Sequence, residues 1–449
     1  MKMKILAIIL TTGLIFALLA GYLLTHEQIS NKSIPPDKLK EDAEFLFKNL
    51  ERIHPNSSPY LEVKDDALEK IDHPMNSIGF YKIIALIIDP VTVELSDAHT
   101  IVGIPEIKTE MFPLKVKIFK DETGYRVFVA EEYEKISKGS EILSINGVDA
   151  TELVKGMLHG RKTPPSEAYR LAGLNRGIFP KRLFLELGYN EEFDLILKSP
   201  DGKTKEISVP AEKIDIPKLS GPSRQVESHT FEIMDGNIGL IRYNKMYNSH
   251  EFKDFLEETF SEIKEKNVEN LIIDLRENHG GIFMEGYFLL DYVADKPYKM
   301  WSIMERKVSN QMMDQMRGRQ GKKYLENQME LYWKPIFANA PDGLSSLEKM
   351  EEMEVGDTFI LEAPFTEPKP NPLRFDGDVY VLTSSYTFSG GAILASTFKD
   401  FELGIIVGEE TGDWATSYTS LHGFTLPNSK IWIGCSQWHH IRPSGEDTG

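Results

Sequence analysis

Cysteine is nearly absent from this chain of 449 residues, in which Cys435 stands alone. One thiol forms no intrachain disulfide and no cysteine-based metal site, so folding does not depend on the redox state of the compartment. Positive charge is also scarce. With 51 Lys and Arg against 69 Asp and Glu, the formal charge is −18. That balance argues against a nucleic acid partner, because phosphate binding needs a basic footprint. No internal repeat, H-x-x-x-H helix or carboxylate cluster suggests zinc. His439 and His440 are adjacent, and as strand residues they would face opposite sides rather than share an ion. We therefore expect no metal and no cofactor.

What is present points to a globular chain of two or three domains, with 41% apolar and 27% charged residues. The N-terminus opens on MKMK, followed by the largely apolar run Ile5 to Leu24. This reads as a secretory signal or a signal anchor. Uncleaved, residues 5–24 would tie the chain to a membrane; cleavage near Ala20-Gly21 would release it. Either way the rest of the chain is expected on the extracytoplasmic side.

The periodicities divide the remainder after a segment 1–36 of leader and linker. Leu39, Ala43, Leu46, Phe47, Leu50 and Ile53 recur at helical spacing and predict a helix over 37–53, ended by His54-Pro55. A second helix is expected from Phe80 to Ile88. Alternation at Val91, Val93 and Leu95, and again at Ile101 and Ile104, then suggests two short strands joined by a turn that carries His99. These form an N-terminal helical part, 37–111. Residues 112–211 read as a β-rich domain of short strands with a DG hairpin turn. Its piece KGSEILSINGVDA, Lys138 to Ala150, resembles the PDZ segment in which a glycine-led turn precedes a strand and an Asn-Gly turn. PDZ domains capture peptide C-termini by strand addition. From 212 to 449 strands and helices alternate in the manner of an α/β layer, interrupted at 301–375 by a Met-rich helical stretch and a Pro-rich segment.

The chemistry concentrates in VYVLTSSYTFSGGAILASTFKDF, Val379 to Phe401. Val379 to Leu382 suit an interior strand, and Ala392, Leu394, Ala395 and Phe398 recur at helical spacing. Ser389 sits at the polar turn between them. A serine there stands clear of the sheet, while backbone N–H groups at the helix start, including that of Gly390, face any developing negative charge. The plain alternative is a Ser/Gly helix cap without chemistry.

Taken with Asp97-Ala98-His99-Thr100, the strand-turn LIIDLRENHGG from Leu271 to Gly281, and VGEETG from Val407 to Gly412, this segment is similar to the tail-specific, C-terminal-processing serine peptidases and their tricorn-core relatives. The resemblance covers residues 37–449 and implies a crotonase-like α/β core with an N-terminal helical part and a PDZ-like β-rich insert. Members that use a serine–lysine dyad carry a stretch like GERTFGKG. Here GEETGDWA, Gly408 to Ala415, puts Trp414 in place of the lysine, and Lys399 on the following helix reads as a solvated surface charge.

The tricorn-type design remains, in which the resemblance implies Ser389 as nucleophile, His99 as base and Glu446 as the acid that orients the imidazole. Glu409 and Glu410 compete with Glu446, as alternative acids or substrate contacts. The resemblance also implies an oxyanion hole from the N–H of Gly390 with one from Gly280 or Gly281. His279, in the same NHGG turn, reads as a neighbour of the site. Relatives continue past the glutamate with another strand, whereas this sequence ends at Gly449. The expected activity is that of an extracytoplasmic serine endopeptidase acting on peptides or unfolded protein tails through an acyl-enzyme. The competing readings are an inactive protein that binds peptides or a hydrophobic ligand, and an acyl-CoA enzyme of the same fold class.

Overall fold

The computed structural model describes residues 33–105, 110–122, 124–158, 167–214, 227–317, 323, 326–340, 342, 343, 345 and 352–446. The leader Ile5 to Leu24 lies outside these residues. Among the described residues no helix is long and apolar enough to cross a membrane. The chain forms two compact units. The first comprises described residues within Met1–Val91, His99–Lys108 and Ser420–Gln437, and the second those within Thr92–Ala98, Thr109–Thr419 and Trp438–Gly449.

In the first unit, the helix Pro36–Ile53 buries Leu39, Ala43, Leu46, Phe47 and Leu50 along one stripe, as its 3.6-residue period requires. A fully buried acid, Asp42, ties this helix to the C-terminal part of the chain. Its carboxylate accepts the main-chain N–H groups of Asn428 at 2.8 Å and Ser429 at 2.6 Å. The strand Ile101–Val102 pairs antiparallel with Ile433 and Gly434.

Two expectations for this region are corrected. The second helix runs from Ser77 to Glu94 and carries Pro90 inside it, so Val91 and Val93 are helical rather than extended. Ile84, Ile88, Val91 and Thr92 are buried together at helical spacing, and that burial outweighs the lost N–H of Pro90. His99 therefore lies between a helix and a strand, not between two strands.

The second unit contains a five-stranded sheet in the order 405–408, 378–383, 270–274, 238–243, 229–234. The first four strands are parallel, and His229–Met234 closes one edge antiparallel. Parallel pairing puts the carboxyl ends of Asn270–Asp274 and Asp378–Thr383 side by side, where open α/β sheets place their ligands. The helices Ser249–Glu265, Gly286–Val293 and Gly390–Asp400 bury Phe252, Leu256, Phe260, Leu289, Leu290, Leu394 and Phe398 in the same core as the strand residues Ile273 and Val381.

The stretch 301–375 is not only helical. It contributes the strands Ile303–Lys307 and Thr358–Glu362, paired antiparallel, and the first also pairs with residues 438–440. The β-rich insert has the sheet order 116–121, 124–129, 141–145, 192–198, 204–210. It also carries helices at Ala150–Leu158, Glu167–Gly173 and Phe179–Leu187, and a π-helical turn at Leu174–Ile178, none of which the strand pattern anticipated.

Candidate active site

At the carboxyl end of Asp378–Thr383 the chain turns through residues 384–388 and enters the helix Gly390–Asp400. Ser389 occupies the joint, with φ 49° and ψ −121°. A non-glycine residue held there costs about 1–3 kcal/mol and persists only where its surroundings fix it. They do. Thr387 donates its hydroxyl to the Leu275 carbonyl at 2.8 Å, Ser384 donates its hydroxyl to that of Arg276 at 2.7 Å, and the Phe388 N–H reaches the Asn278 carbonyl at 2.9 Å. Three bonds thus staple the serine turn to the turn after the neighbouring strand. The Ser389 hydroxyl makes no capping bond to the helix it precedes, so the ordinary N-cap explanation of the SGG sequence does not apply.

The facing turn is organised by Asn278, which is fully buried. Its Nδ2 donates to the Tyr243 carbonyl at 2.7 Å and its Oδ1 accepts the Gly280 N–H at 2.7 Å. That N–H is therefore occupied, whereas those of Gly281 and Gly390 meet no protein acceptor among the described residues. Gly280 and Gly281 have φ of +86° and +130°. A Cβ on Gly280 would lie 2.5 Å from the Gly390 nitrogen and 2.8 Å from the Ser389 Cβ; on Gly281 it would lie 2.0 Å from the Met246 carbonyl oxygen. Glycine is required at both by close approach as much as by dihedral. The structure thus brings Ser389, Gly390, Gly280 and Gly281 together.

His279 packs edge-on against Tyr386, with ring centroids 4.0 Å apart. Burial, with Arg176 beside it, lowers its pKa to about 4, so the imidazole is neutral at neutral pH. Tyr169 and Arg176, both from the β-rich insert, complete this cluster. Tyr169 stacks on Phe388 at 4.9 Å, and the Arg176 guanidinium lies 3.5 Å from the Tyr386 ring centre while donating to Glu277 at 2.7 Å. A cleft of about 400 Å³ opens beside it, lined by Arg176, Asp274, Arg276, Glu277, Tyr386 and Glu409 among others.

Glu409 braces the serine turn: its Oε2 accepts the Ser385 N–H at 3.0 Å. Glu410 is exposed. Glu446 is also exposed, in a turn whose Ser444 N–H donates to Asp400 at 3.0 Å and whose Glu446 carbonyl accepts from the Thr416 hydroxyl at 3.0 Å. Asp400 ends the helix that Ser389 begins, about 16 Å away at 1.5 Å per residue. Arg442 is the charged neighbour of Glu446. Trp414 is half-buried and Lys399 is exposed. His439 contacts Glu305 and Tyr418, whereas His440 is buried against the Ala415 carbonyl, and burial lowers its pKa to about 4. Among the described residues no three His, Cys, Asp or Glu side chains are grouped to hold an ion. His99 is buried in the first unit, immediately before Ile101–Val102.

The sequence held Asn278 as part of the DLRENHGG motif but gave it no role of its own, although a carboxamide between a strand end and two glycines is a signal for turn building. Tyr169 and Arg176 gave no signal, because their role depends on the insert meeting the serine turn.

Residues 237–447 match the model of peptidase family S41. The fold is that of mature CPAF, at 17% identity and a TM-score of 0.59 over 91% of this chain and 92% of that one. It is likewise that of mature CPAF complexed with lactacystin, at 17% identity and a TM-score of 0.61 over 91% and 90%. No curated protein matches the sequence.

Proposed function

We propose that the chain, whose residues 237–447 match the model of peptidase family S41, is an extracytoplasmic serine endopeptidase. It cleaves peptides or unfolded protein tails through an acyl-enzyme at Ser389. The observation that carries this reading is the strained strand-to-helix turn at Ser389, set against a glycine turn in which the Gly281 and Gly390 N–H groups meet no acceptor among the described residues. In the reaction, His99 takes the Ser389 proton as Oγ attacks the peptide carbonyl, and Gly281 and Gly390 hold the resulting oxyanion. The imidazolium then returns the proton to the leaving amine, and water repeats the sequence on the ester. Glu446 serves as the acid that steadies the cation.

The β-rich insert presents the substrate, which suits its direct contact with the serine turn through Tyr169 and Arg176. On its edge strand Val116–Asp121, the Ile118 N–H and carbonyl are both bonded to the Asn175 carboxamide, at 2.6 and 3.1 Å. A peptide adding to that edge takes the place of Asn175. The address follows from MKMK and the run Ile5 to Leu24.

The test is hydrolysis of an unstructured peptide as a function of pH. A base must be unprotonated, so kcat/KM rises with pH through the base's titration. With His99 as base, His99→Ala removes both the activity and this rise. A midpoint near 4 would assign the base to His279, whose pKa is lowered to about 4; a rise only above about pH 9 would indicate a lysine.

A further inference from the structure

Glu285 is an acid in the middle of the core of the second unit. Its relative exposure is 0%, and no lysine or arginine pairs with it among the described residues. Burying an unpaired carboxylate costs several kcal/mol, so its neighbours must compensate. Three hydroxyls surround it. The Tyr243 hydroxyl donates to Oε2 at 2.9 Å, the Ser249 hydroxyl donates to Oε1 at 2.8 Å, and Ser249 is in turn hydrogen-bonded to the Tyr332 hydroxyl. These partners come from the end of a core strand, the start of the helix Ser249–Glu265 and the 301–375 stretch.

Tyr243 is the link to the site. Its side chain holds Glu285 while its main-chain carbonyl accepts from Asn278, and Asn278 in turn holds the Gly280 N–H and the Phe388 N–H. A second route runs along the chain. Glu285 ends the short 3₁₀ turn Phe283–Glu285 that follows Gly281, and a Cβ on Gly390 would lie 3.2 Å from the Phe283 Cα.

We propose that Glu285 is a positioning residue that holds the Gly280–Gly281 turn in register with Ser389, through the buried hydroxyls of Tyr243, Ser249 and Tyr332. The inference rests on the reading of Ser389 as nucleophile. Among the described residues, the ionisable groups facing Glu285 are Tyr243, Tyr332 and, more distantly, Glu251. None is cationic. Burial is the main cause that raises its pKa to about 7, and Glu251 adds to it, against the two hydroxyl bonds. The folded state thus holds this proton more tightly than an unfolded chain does. Its stabilisation is complete below the ordinary carboxyl value of 4.5 and is lost as pH rises through about 7.

Three forms of the full chain test this: wild type, Glu285→Gln and Glu285→Ala. The readouts are hydrogen–deuterium exchange of the peptide covering residues 276–284, and the rate of covalent labelling by a fluorophosphonate at 25 °C. We expect Glu285→Ala to raise exchange and to lower labelling by tenfold or more. Glu285→Gln, which keeps one acceptor and offers an amide donor, restores both to within threefold. Its melting temperature gains on wild type from pH 5 to pH 8, because its folding takes up no proton. The proposal is overturned if Glu285→Ala stays within twofold on both readouts, or if Glu285→Gln falls as far as Glu285→Ala. Should the alanine form not fold, Tyr243→Phe breaks the same link while keeping the ring, and an unchanged exchange pattern there overturns the proposal. Absence of labelling in the wild type would refute the nucleophile, while exchange would still decide whether Glu285 holds the turn.

Discussion

Ser389→Ala abolishes peptide hydrolysis and moves the melting temperature by no more than a few degrees. Loss of an activated nucleophile costs about 10³-fold or more, whereas the hydroxyl contributes little to folding: it caps no helix N–H, and the staples of its turn come from Ser384, Thr387 and Phe388. Alanine fills the same Cβ position and meets the same backbone strain at φ 49°, so the turn survives. Steady-state hydrolysis and a thermal melt on the same preparation check both halves. Retention of more than about a tenth of the activity would remove Ser389 from the role of nucleophile.

The second large effect belongs to a residue with no side chain. Gly280→Ala places a methyl group 2.5 Å from the Gly390 nitrogen and 2.8 Å from both the Phe388 carbonyl oxygen and the Ser389 Cβ. All three are fixed atoms of the serine turn, so the clash is relieved only by pushing the two turns apart. That displaces the Gly390 N–H from the position where an oxyanion would form. We expect kcat to fall by about 10²- to 10³-fold, the usual loss for one oxyanion donor. Alanine at a φ of +86° adds about 1–2 kcal/mol of destabilisation. The comparison that checks this is kcat against KM, with the loss expected in kcat. A variant with normal kcat would show that the spacing between the turns has no part in the chemistry.

The sequence carried the serine turn because each part had a separate signal: an apolar run for the strand, helical spacing after it, and small residues between. The parallel sheet was legible for the same reason. The reading failed where two periods overlapped. Val91, Val93 and Leu95 alternate as a strand would, yet Ile84, Ile88 and Val91 also fit a helix, and Pro90 made the break look more natural than the continuous helix that forms. In the β-rich insert, Ala150, Leu153, Val154, Met157 and Leu158 already had helical spacing, but the Asn146-Gly147 turn drew attention to strands.

Glu285 shows a different limit. It stands in GIFMEGYFLL, Gly281 to Leu290, as the one acid of that stretch, and its partners Tyr243, Ser249 and Tyr332 come from three other segments, which no local pattern brings together. The placement of Glu446 shows a third. Its distance from Ser389 in sequence matched the resemblance, but the exposure of its turn and its anchorage on Asp400 follow from packing alone.

The most direct test of the account is to treat the protein with a fluorophosphonate and locate the adduct by mass spectrometry of its peptides. The account predicts one adduct, on the peptide containing Ser389, formed at native pH and absent after unfolding or in Ser389→Ala. An adduct on another serine, or none on a folded sample that hydrolyses peptides, would contradict it.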